Sequence, residues 1–478
     1  MKIRLYNSLT NRLEEFRPLT PGKVLMYHCG PTVYSSPHIG NFRAFLLADL
    51  LRRFLEDQGF DVKQVMNITD VGHMTDDDED QGEDKLQAEA RKQKVDPWKI
   101  ARMYEDEFRD CLDKLDFVMP HALPRATDYI GQMCAMIDTL LEKGYAYQVN
   151  GNVYFDISKF PEYGKLSNKV LDELEEGARV EVNTEKRDPR DFALWKVDDK
   201  HLMQWDAGFR DGVRGFPGWH IECSAMSGDL LGEQIDIHTG GEDNMFPHHE
   251  CEIAQSEACT GKPFVGTWLH VKHLMVDGEK MSKSKGNFYT VSDIFGKGYS
   301  GHELRYALMR VQYRQSMNFT LASLNEARTA IARVNEARKR LARIAAGVEA
   351  GGADDLAARS ETAETAFVGA LCDDLNTSGA LAAVFAFVTE VNKAAPDADG
   401  AKRALAAFDR FDRVLGVFGP TPEVGVDSVP QELLELLERR QAARAAKDFA
   451  TADACRDEIS RAGYQVVDTP EGPRLERV

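Results

Sequence analysis

The chain has 478 residues, 43% of them hydrophobic and 29% charged, with a formal net charge of −19, which suits an ordinary soluble protein of three or four domains. It has no run of 18 apolar residues and no apolar h-region after Met1-Lys-Ile-Arg-Leu-Tyr, so neither a membrane span nor a signal peptide is expected. The eight scattered cysteines, without a C-x-x-C pair, argue for reduced thiols in the cytoplasm, and the acidic balance requires any nucleic-acid contact to come from a local basic groove.

Residues 23–29 read as a short β-type run ending at a Gly-Pro turn. After Pro37 the apolar residues Phe42, Phe45, Leu46, Leu50, Phe54 and Leu55 recur at helical spacing, and Gly59 closes the helix. A second β-type run over 61–68 completes a βαβ unit, the seed of a parallel sheet. Seven of the nine residues from Asp76 to Asp84 are acidic, a run expected to form a solvated loop. Segments 234–238 and 264–275 read as further strands, with a helix after Pro247 between them. The sheet is thus split by intervening material over 120–205. From residue 302 the chain is predicted almost wholly helical, with bundle-like stretches over 321–350 and 360–418. Pro396–Gly400 interrupts the bundle and a linker runs from Gly419 through Pro430. The tail carries one or two charged helices and a strand beginning at Gly463.

Three motifs carry chemistry. His38-Ile-Gly-Asn41 sits where the first strand hands over to the helix. A helix start offers unpaired N–H groups and a positive dipole end to a polyphosphate, and Gly40 would let an adenine approach, although a plain surface helix start reads the same way. Lys280-Met-Ser-Lys-Ser284 puts Lys280 and Lys283 on a glycine-flanked loop, able to reach phosphates or simply to form a basic surface. Cys29, Cys223, His248 and Glu252 together could hold a tetrahedral zinc ion, or the cysteines could be ordinary core residues. His248 and Glu252 are four apart and share a helix face.

In this order, some 240 residues apart, the first two motifs resemble the HIGH and KMSKS signatures of class I aminoacyl-tRNA synthetases. The segments around the cysteines, Tyr27–Tyr34, Gly218–Met226 and Phe246–Glu252, closely resemble the zinc motifs of cysteinyl-tRNA synthetases. The resemblance runs from about residue 3 to 475. It implies an α/β fold with a doubly wound, Rossmann-type parallel sheet in two halves (1–119 and 206–301) around an inserted domain (120–205). A helical tRNA-binding bundle (302–420) and a small α+β anticodon-side domain (421–478) follow. It implies activation of L-cysteine by ATP and transfer to tRNA(Cys), with one zinc per chain on Cys29, Cys223, His248 and Glu252 and magnesium accompanying ATP. His38 and Asn41 are assigned to the phosphates, and Lys280 and Lys283 to the leaving pyrophosphate. Gly40, Gly240, Asp243 and Lys283 are assigned to ATP. Thr69, Trp219 and His238 are assigned to the substrate cysteine.

A monomer is expected. The basic residues Arg439, Arg440, Arg444 and Lys447, and a second stripe of Arg338, Lys339, Arg340 and Arg343, are expected to face tRNA. Four departures from the family pattern stand out. Ser35-Ser36 follow Val-Tyr where an acidic residue is usual. Thr239 replaces a glycine and is expected to narrow the approach to the nucleotide. Cys251 is a competing metal ligand beside Glu252. Residues 198–216 fit no expected pattern. Two alternatives remain open: a ligase that passes cysteine to an amino-sugar, and a non-catalytic tRNA-binding paralogue.

Overall fold

The computed structural model describes residues 1–73, 84–168, 185–207, 214–282, 285–420, 431–446, 448–462, 464–469 and 472–477. Lys283, Lys447, Gly463, most of the acidic run and the linker over 421–430 lie outside the described residues.

The chain opens with a hairpin, β1 (Arg4–Asn7) and β2 (Arg12–Glu15), which the sequence did not announce. The expected βαβ unit follows as β3 (Lys23–His28), α1 (Ile39–Asp57) and β4 (Asp61–Met66). Gly59, with φ +85°, makes the turn out of α1 that a side chain would oppose. Helices α2 (Lys85–Gln93), α3 (Pro97–Lys114) and α4 (Ile130–Glu142) lead into a five-stranded antiparallel sheet. Its strands are β5 (Ala146–Val149), β6 (Asn152–Phe155), β7 (Phe192–Lys196), β8 (Trp205–Asp206) and β9 (Arg214–Pro217). The inserted sheet therefore takes its last two strands from the segment that fitted no sequence pattern. It ends only at Pro217, beyond the 205/206 boundary.

The parallel sheet resumes with α5 (Trp219–Leu231), β10 (Ile235–Gly241), α6 (Glu250–Thr260) and β11 (Val265–Val271). Strand order is β11-β10-β3-β4, all parallel. The chain starts in the middle at β3, builds outward to β4, then returns to the other side of β3 to place β10 and β11. The crevice between β3 and β10 is thus a switch point, where the strand ends part and a ligand can enter. Alternation along β3 sends Val24 and Met26 into the core against α1, and Tyr27 into the opposite core with Ile221 and Ile253 of α5 and α6.

The strand expected over 264–275 is broken into β11 and β12 (Leu274–Val276), because the amides of Lys272 and His273 leave the ladder for Tyr313 O and Glu242 Oε1. Next come β13 (Glu279–Lys280), α7 (Val291–Gly296), α8 (Gly301–Met309) and β14 (Met317–Phe319). The bundle is α9 (Leu321–Ala345), α10 (Ala357–Cys372), α11 (Thr377–Lys393) and α12 (Ala398–Leu415), closed around Phe367, Phe387, Phe408 and Phe411. A buried ion pair between Arg305 of α8 and Asp49 of α1, with Arg305 also donating to Leu415 O, fastens the bundle to the parallel-sheet domain. The tail holds α13 (Gln431–Ala445), α14 (Phe449–Arg461) and the hairpin β15 (Tyr464–Thr469) and β16 (Gly472–Arg477).

The second basic stripe is not a free face. Arg338 is 1% exposed and donates to Phe418 O and Gly419 O, while Arg340 donates to Val391 O and Ala394 O at the end of α11. Carbonyls at chain turns and helix ends lack intrahelical donors, and guanidinium groups supply them. Lys339 and Arg343 pair with Glu336 and Glu349. In the tail Arg440 is buried, whereas Arg439 and Arg444 are exposed.

Candidate active site

The deepest part of the crevice gathers four donors from four places. Cys29 follows directly on β3, Cys223 lies in the second turn of α5, and His248 and Glu252 flank the start of α6; all are buried. The sulfurs are 3.9 Å apart, Cys223 Sγ lies 3.5 Å from His248 Nε2, Cys29 Sγ 3.6 Å from Glu252 Oε1, and His248 Nε2 3.1 Å from Glu252 Oε1. A tetrahedron with metal–sulfur bonds of about 2.3 Å and metal–nitrogen or –oxygen bonds of about 2.0 Å has edges of roughly 3.8 Å between sulfurs and 3.3 Å between nitrogen and oxygen. Donor types and separations therefore both fit a bound dication.

The surroundings shift the ionisation of all four groups. Burial opposes the His248 imidazolium, but hydrogen bonds to Cys223 and Glu252 outweigh it and raise His248 to about 10. Burial likewise opposes ionised Glu252, yet His238 and His248 hold it at about 2. Burial and the neighbouring Cys223 push the Cys29 thiol up, whereas hydrogen bonds from Cys29 and His248 overcome burial at Cys223 and bring it down. Cys251, the competing ligand, turns away and meets the Tyr163 hydroxyl at 3.3 Å.

Behind the cluster stands a layer of imidazoles, of which the sequence singled out His238 and passed over His220, His249 and His270. His220 Nδ1 lies 2.9 Å from His248 Nδ1, and His238 Nε2 lies 2.9 Å from Glu252 Oε2. His249 Nε2 lies 3.3 Å from Cys29 Sγ, and its Nδ1 is 2.8 Å from His270, which reaches Ser8. Burial drives His220 and His249 well below the usual histidine range and His270 to about 3, so these rings are neutral. Cys29, His238, His249 and Glu252 form a second compact donor group sharing two members with the first. The adjacent pairs Trp219-His220 and His248-His249 were the available signal.

Above the cluster a cavity of about 610 Å3 opens, within the range usual for a bound small molecule. Cys29, His38, Gly40, Asn41, Trp219, Asp243 and Lys280 all line it. His38 caps α1: its Nδ1 accepts from Asn41 N (3.3 Å), and Asn41 Oδ1 accepts from His38 N (3.1 Å). Both side chains thus fix the start of α1 at the cavity wall. The strand leaving the lysine loop lies against that start, with Ile39 N donating to Tyr289 O and His38 bridging Thr290. A Cβ on Gly40 would come within 2.9 Å of Met281 Cε, so here the glycine makes room for the loop itself.

Three assigned residues sit away from the cavity wall. Thr69 donates to Glu222 Oε2 (2.7 Å), whose other oxygen meets His73 (2.5 Å), and burial raises the Glu222 carboxyl. His238 is fully buried behind Glu252 and stacks on Trp268. Gly240 gives space to His249, whose Cε1 would lie 2.6 Å from a Cβ there. Thr239 does not narrow the nucleotide approach: its buried hydroxyl is 2.5 Å from His28 Nδ1, inside the sheet. Ser36 finds its own acidic partner, donating to Glu107. His201, from the unexplained segment, is buried between Gly72 O and Asp84 and stacks on Phe216.

Residues 15–329 match the family described as tRNA synthetases class I (C) catalytic domain, and residues 366–419 match the DALR domain. Residues 427–472 match the cysteinyl-tRNA ligase anticodon binding domain. The cysteine–tRNA ligase of Thermus thermophilus is 43% identical over 488 aligned residues, covering 100% of both chains. The chain belongs to the cysteine–tRNA ligase family. Other members of that family, from Chlorobaculum tepidum and Caldicellulosiruptor saccharolyticus, are 41% and 42% identical over 98% and 100% of the chain. The class I synthetase fold extends further. Mycobacterium tuberculosis methionyl-tRNA synthetase in complex with methionyl-adenylate superposes with a TM-score of 0.58 at 15% identity, over 83% of this chain and 90% of that one. A putative arginyl-tRNA synthetase from Campylobacter jejuni gives 0.54 at 13% identity, over 85% of this chain and 95% of that one. Among the described residues no helix is long and apolar enough to cross a membrane.

Proposed function

We propose that this chain activates L-cysteine with ATP and transfers the cysteinyl group to tRNA(Cys), acting as a cytoplasmic monomer. The observation that carries this reading is the position of the Cys29–Cys223–His248–Glu252 cluster, which meets, through Cys29, a cavity lined by residues of both phosphate motifs. These four residues would hold one zinc per chain. Zinc there would favour a substrate thiolate over the hydroxyl of serine, a distinction that pocket shape alone makes poorly. His220 and His238 orient His248 and Glu252, and Trp219 covers the substrate. The cysteine carboxylate attacks the ATP α-phosphorus and pyrophosphate departs. His38 and Asn41, at the start of α1, face the phosphates, while Lys280 and Lys283 meet the charge growing on the leaving group, with magnesium accompanying the nucleotide. A terminal ribose hydroxyl of the tRNA then attacks the cysteinyl carbonyl carbon. The carbon–oxygen bond to phosphate breaks, AMP leaves, and the hydroxyl proton goes with it.

Cysteine-dependent ATP–pyrophosphate exchange followed by charging of total tRNA tests this. Both activities are expected. Exchange without charging would favour transfer to an amino-sugar, against which the anticodon-domain match already counts. The absence of both would sink the reading in favour of a non-catalytic tRNA binder.

A further inference from the structure

In the donor cluster His248 and Glu252 are oriented by the rings of His220 and His238. The spacing of the two sulfurs has a separate support. Cys29 lies one residue past β3, where its amide reaches Thr239 O at 3.5 Å, so the strand ladder holds it slackly. The fastening comes at the next residue. Gly30 N donates to Asn67 Oδ1 (2.8 Å), Asn67 Nδ2 to Thr69 Oγ1 (3.0 Å), and Thr69 Oγ1 to Glu222 Oε2 (2.7 Å). Glu222 Oε1 meets His73 Nε2 at 2.5 Å. Main-chain bonds from Thr69 N to Pro31 O (3.0 Å) and from Val33 N to Thr69 O (3.1 Å) bind the same loop to the segment after β4. The approach is tight: a Cβ on Gly30 would meet Asn67 O at 1.7 Å. Glu222, where the series ends, is 0% exposed, and among the described residues its partners are a hydroxyl and an imidazole. Burying a carboxylate without a guanidinium or ammonium costs desolvation, which asks for a reason. Glu222 and Cys223 are neighbours on α5, so whatever ties Glu222 to the loop after β3 also ties Cys223 to Cys29.

We propose that Glu222 is a positioning residue: through Thr69 and Asn67 it sets Cys29 against Cys223 and so fixes the donor cluster where a substrate thiolate would enter. The inference rests on the metal reading given above. Cys29 and Gly30 both line the larger cavity, so the last bond of the series lies at its wall. Each internal member both donates and accepts, and a buried network connected in this way holds one arrangement of the groups at its ends. Asn67 therefore acts on the sulfurs from the far end of the same series, without touching either of them.

The test uses the full-length enzyme with Glu222→Ala, Glu222→Gln, Asn67→Ala and the double alanine variant. Zinc affinity in chelator competition should fall about ten- to hundred-fold in each single alanine variant. Glu222→Gln still accepts from Thr69, and its amide can donate to the His73 ring in the other tautomer, so it should recover most of the loss. The double variant should be no worse than the worse single one, because both substitutions cut one series. In the cobalt-substituted protein the visible d–d and sulfur-to-cobalt charge-transfer bands should change in both single alanine variants and match the parent in Glu222→Gln. The KM for cysteine should rise with the loss of metal affinity, while the KM for ATP stays near the parent's. Three outcomes overturn the proposal: parental affinity and spectra in both single alanine variants, additive losses in the double variant, or Glu222→Gln as impaired as Glu222→Ala. If Glu222→Ala fails to fold, Asn67→Ala decides by the same two metal measurements. A parent enzyme that binds no metal would instead remove the underlying metal reading.

Discussion

The floor and the rim of the crevice are built on opposite plans. On the floor, Cys29, Cys223, His248 and Glu252 are no more than 8% exposed and lie within hydrogen-bond or ligand reach of one another, with the neutral rings of His220, His249 and His270 behind them. At the rim, Lys280 is exposed on a two-residue strand, and the Asp243 side chain is 75% exposed, with His273 at 3.4 Å. The floor is assembled by the protein alone and costs desolvation in advance, so it can discriminate before chemistry begins. Under the proposed reaction, phosphate would organise the rim on binding, which suits groups that must grip harder as charge develops.

The strongest way to break this contrast is Cys223→Ser. Metal content measured by atomic emission should fall to near zero, and cysteine-dependent exchange by about a thousand-fold, because a structured metal site contributes many kcal/mol of binding. Full metal and full exchange would show that the floor is ordinary core. Lys280→Ala, at the rim, should lower kcat for exchange roughly a hundred-fold while leaving the KM for cysteine alone. A change confined to cysteine KM would mean that floor and rim are not separate. His220→Asn sharpens the comparison one layer down. Loss of the ring that orients His248 should weaken metal affinity by about ten- to hundred-fold in chelator competition, with less effect on saturated activity.

The smallest effect belongs to a cluster with charges but no substrate. Glu105 of α3 is met by Arg102 at 2.9 Å, Arg109 at 2.9 Å and Arg125 at 2.7 Å. Burial raises its carboxyl, but these hydrogen bonds prevail and its folded value lies below 4.5. Its stabilisation is therefore present above pH 4.5 and disappears as pH falls through the lowered value. Glu105→Gln should flatten the acid side of the Tm profile between about pH 5 and 3, shift Tm by only a few degrees at pH 7, and leave exchange untouched. Exchange that falls with it would tie this cluster to the crevice.

The parallel sheet was readable in advance because α1 announces itself through Phe42, Phe45, Leu46 and Leu50, and because β3 and β4 flank it at short range. The metal-type cluster was readable through motif resemblance, not through spacing: Cys29 and Cys223 come together only when β3 and α5 pack. The imidazole layer was signalled only by the adjacent pairs Trp219-His220 and His248-His249, since nothing in a sequence distinguishes a histidine behind the cluster from one at the cavity wall; His238 lies 2.9 Å from Glu252, behind it. Arginines misled for a related reason. Arg338 and Arg340 occupy a charged helical stretch that looks solvated, yet the carbonyls they satisfy, at Phe418, Gly419, Val391 and Ala394, are remote in sequence. The β1–β2 hairpin escaped because four-residue strands give too little alternation to see, while its place is fixed by Asn7 and Ser8 against Trp268.

The backbone contact between Ile39 and Tyr289 carries a consequence for synthesis of the protein. A nascent chain emerging from the ribosome can complete β3, α1 and β4 early, because those contacts are local. The wall opposite His38 does not exist until Phe288–Thr290 has been made and has returned across everything translated in between. Closing so long a loop is slow relative to local pairing. Until then the helix start is an open end with no chamber over it, so the cavity closes only after the inserted sheet and the Cys29–Cys223–His248–Glu252 cluster have been translated.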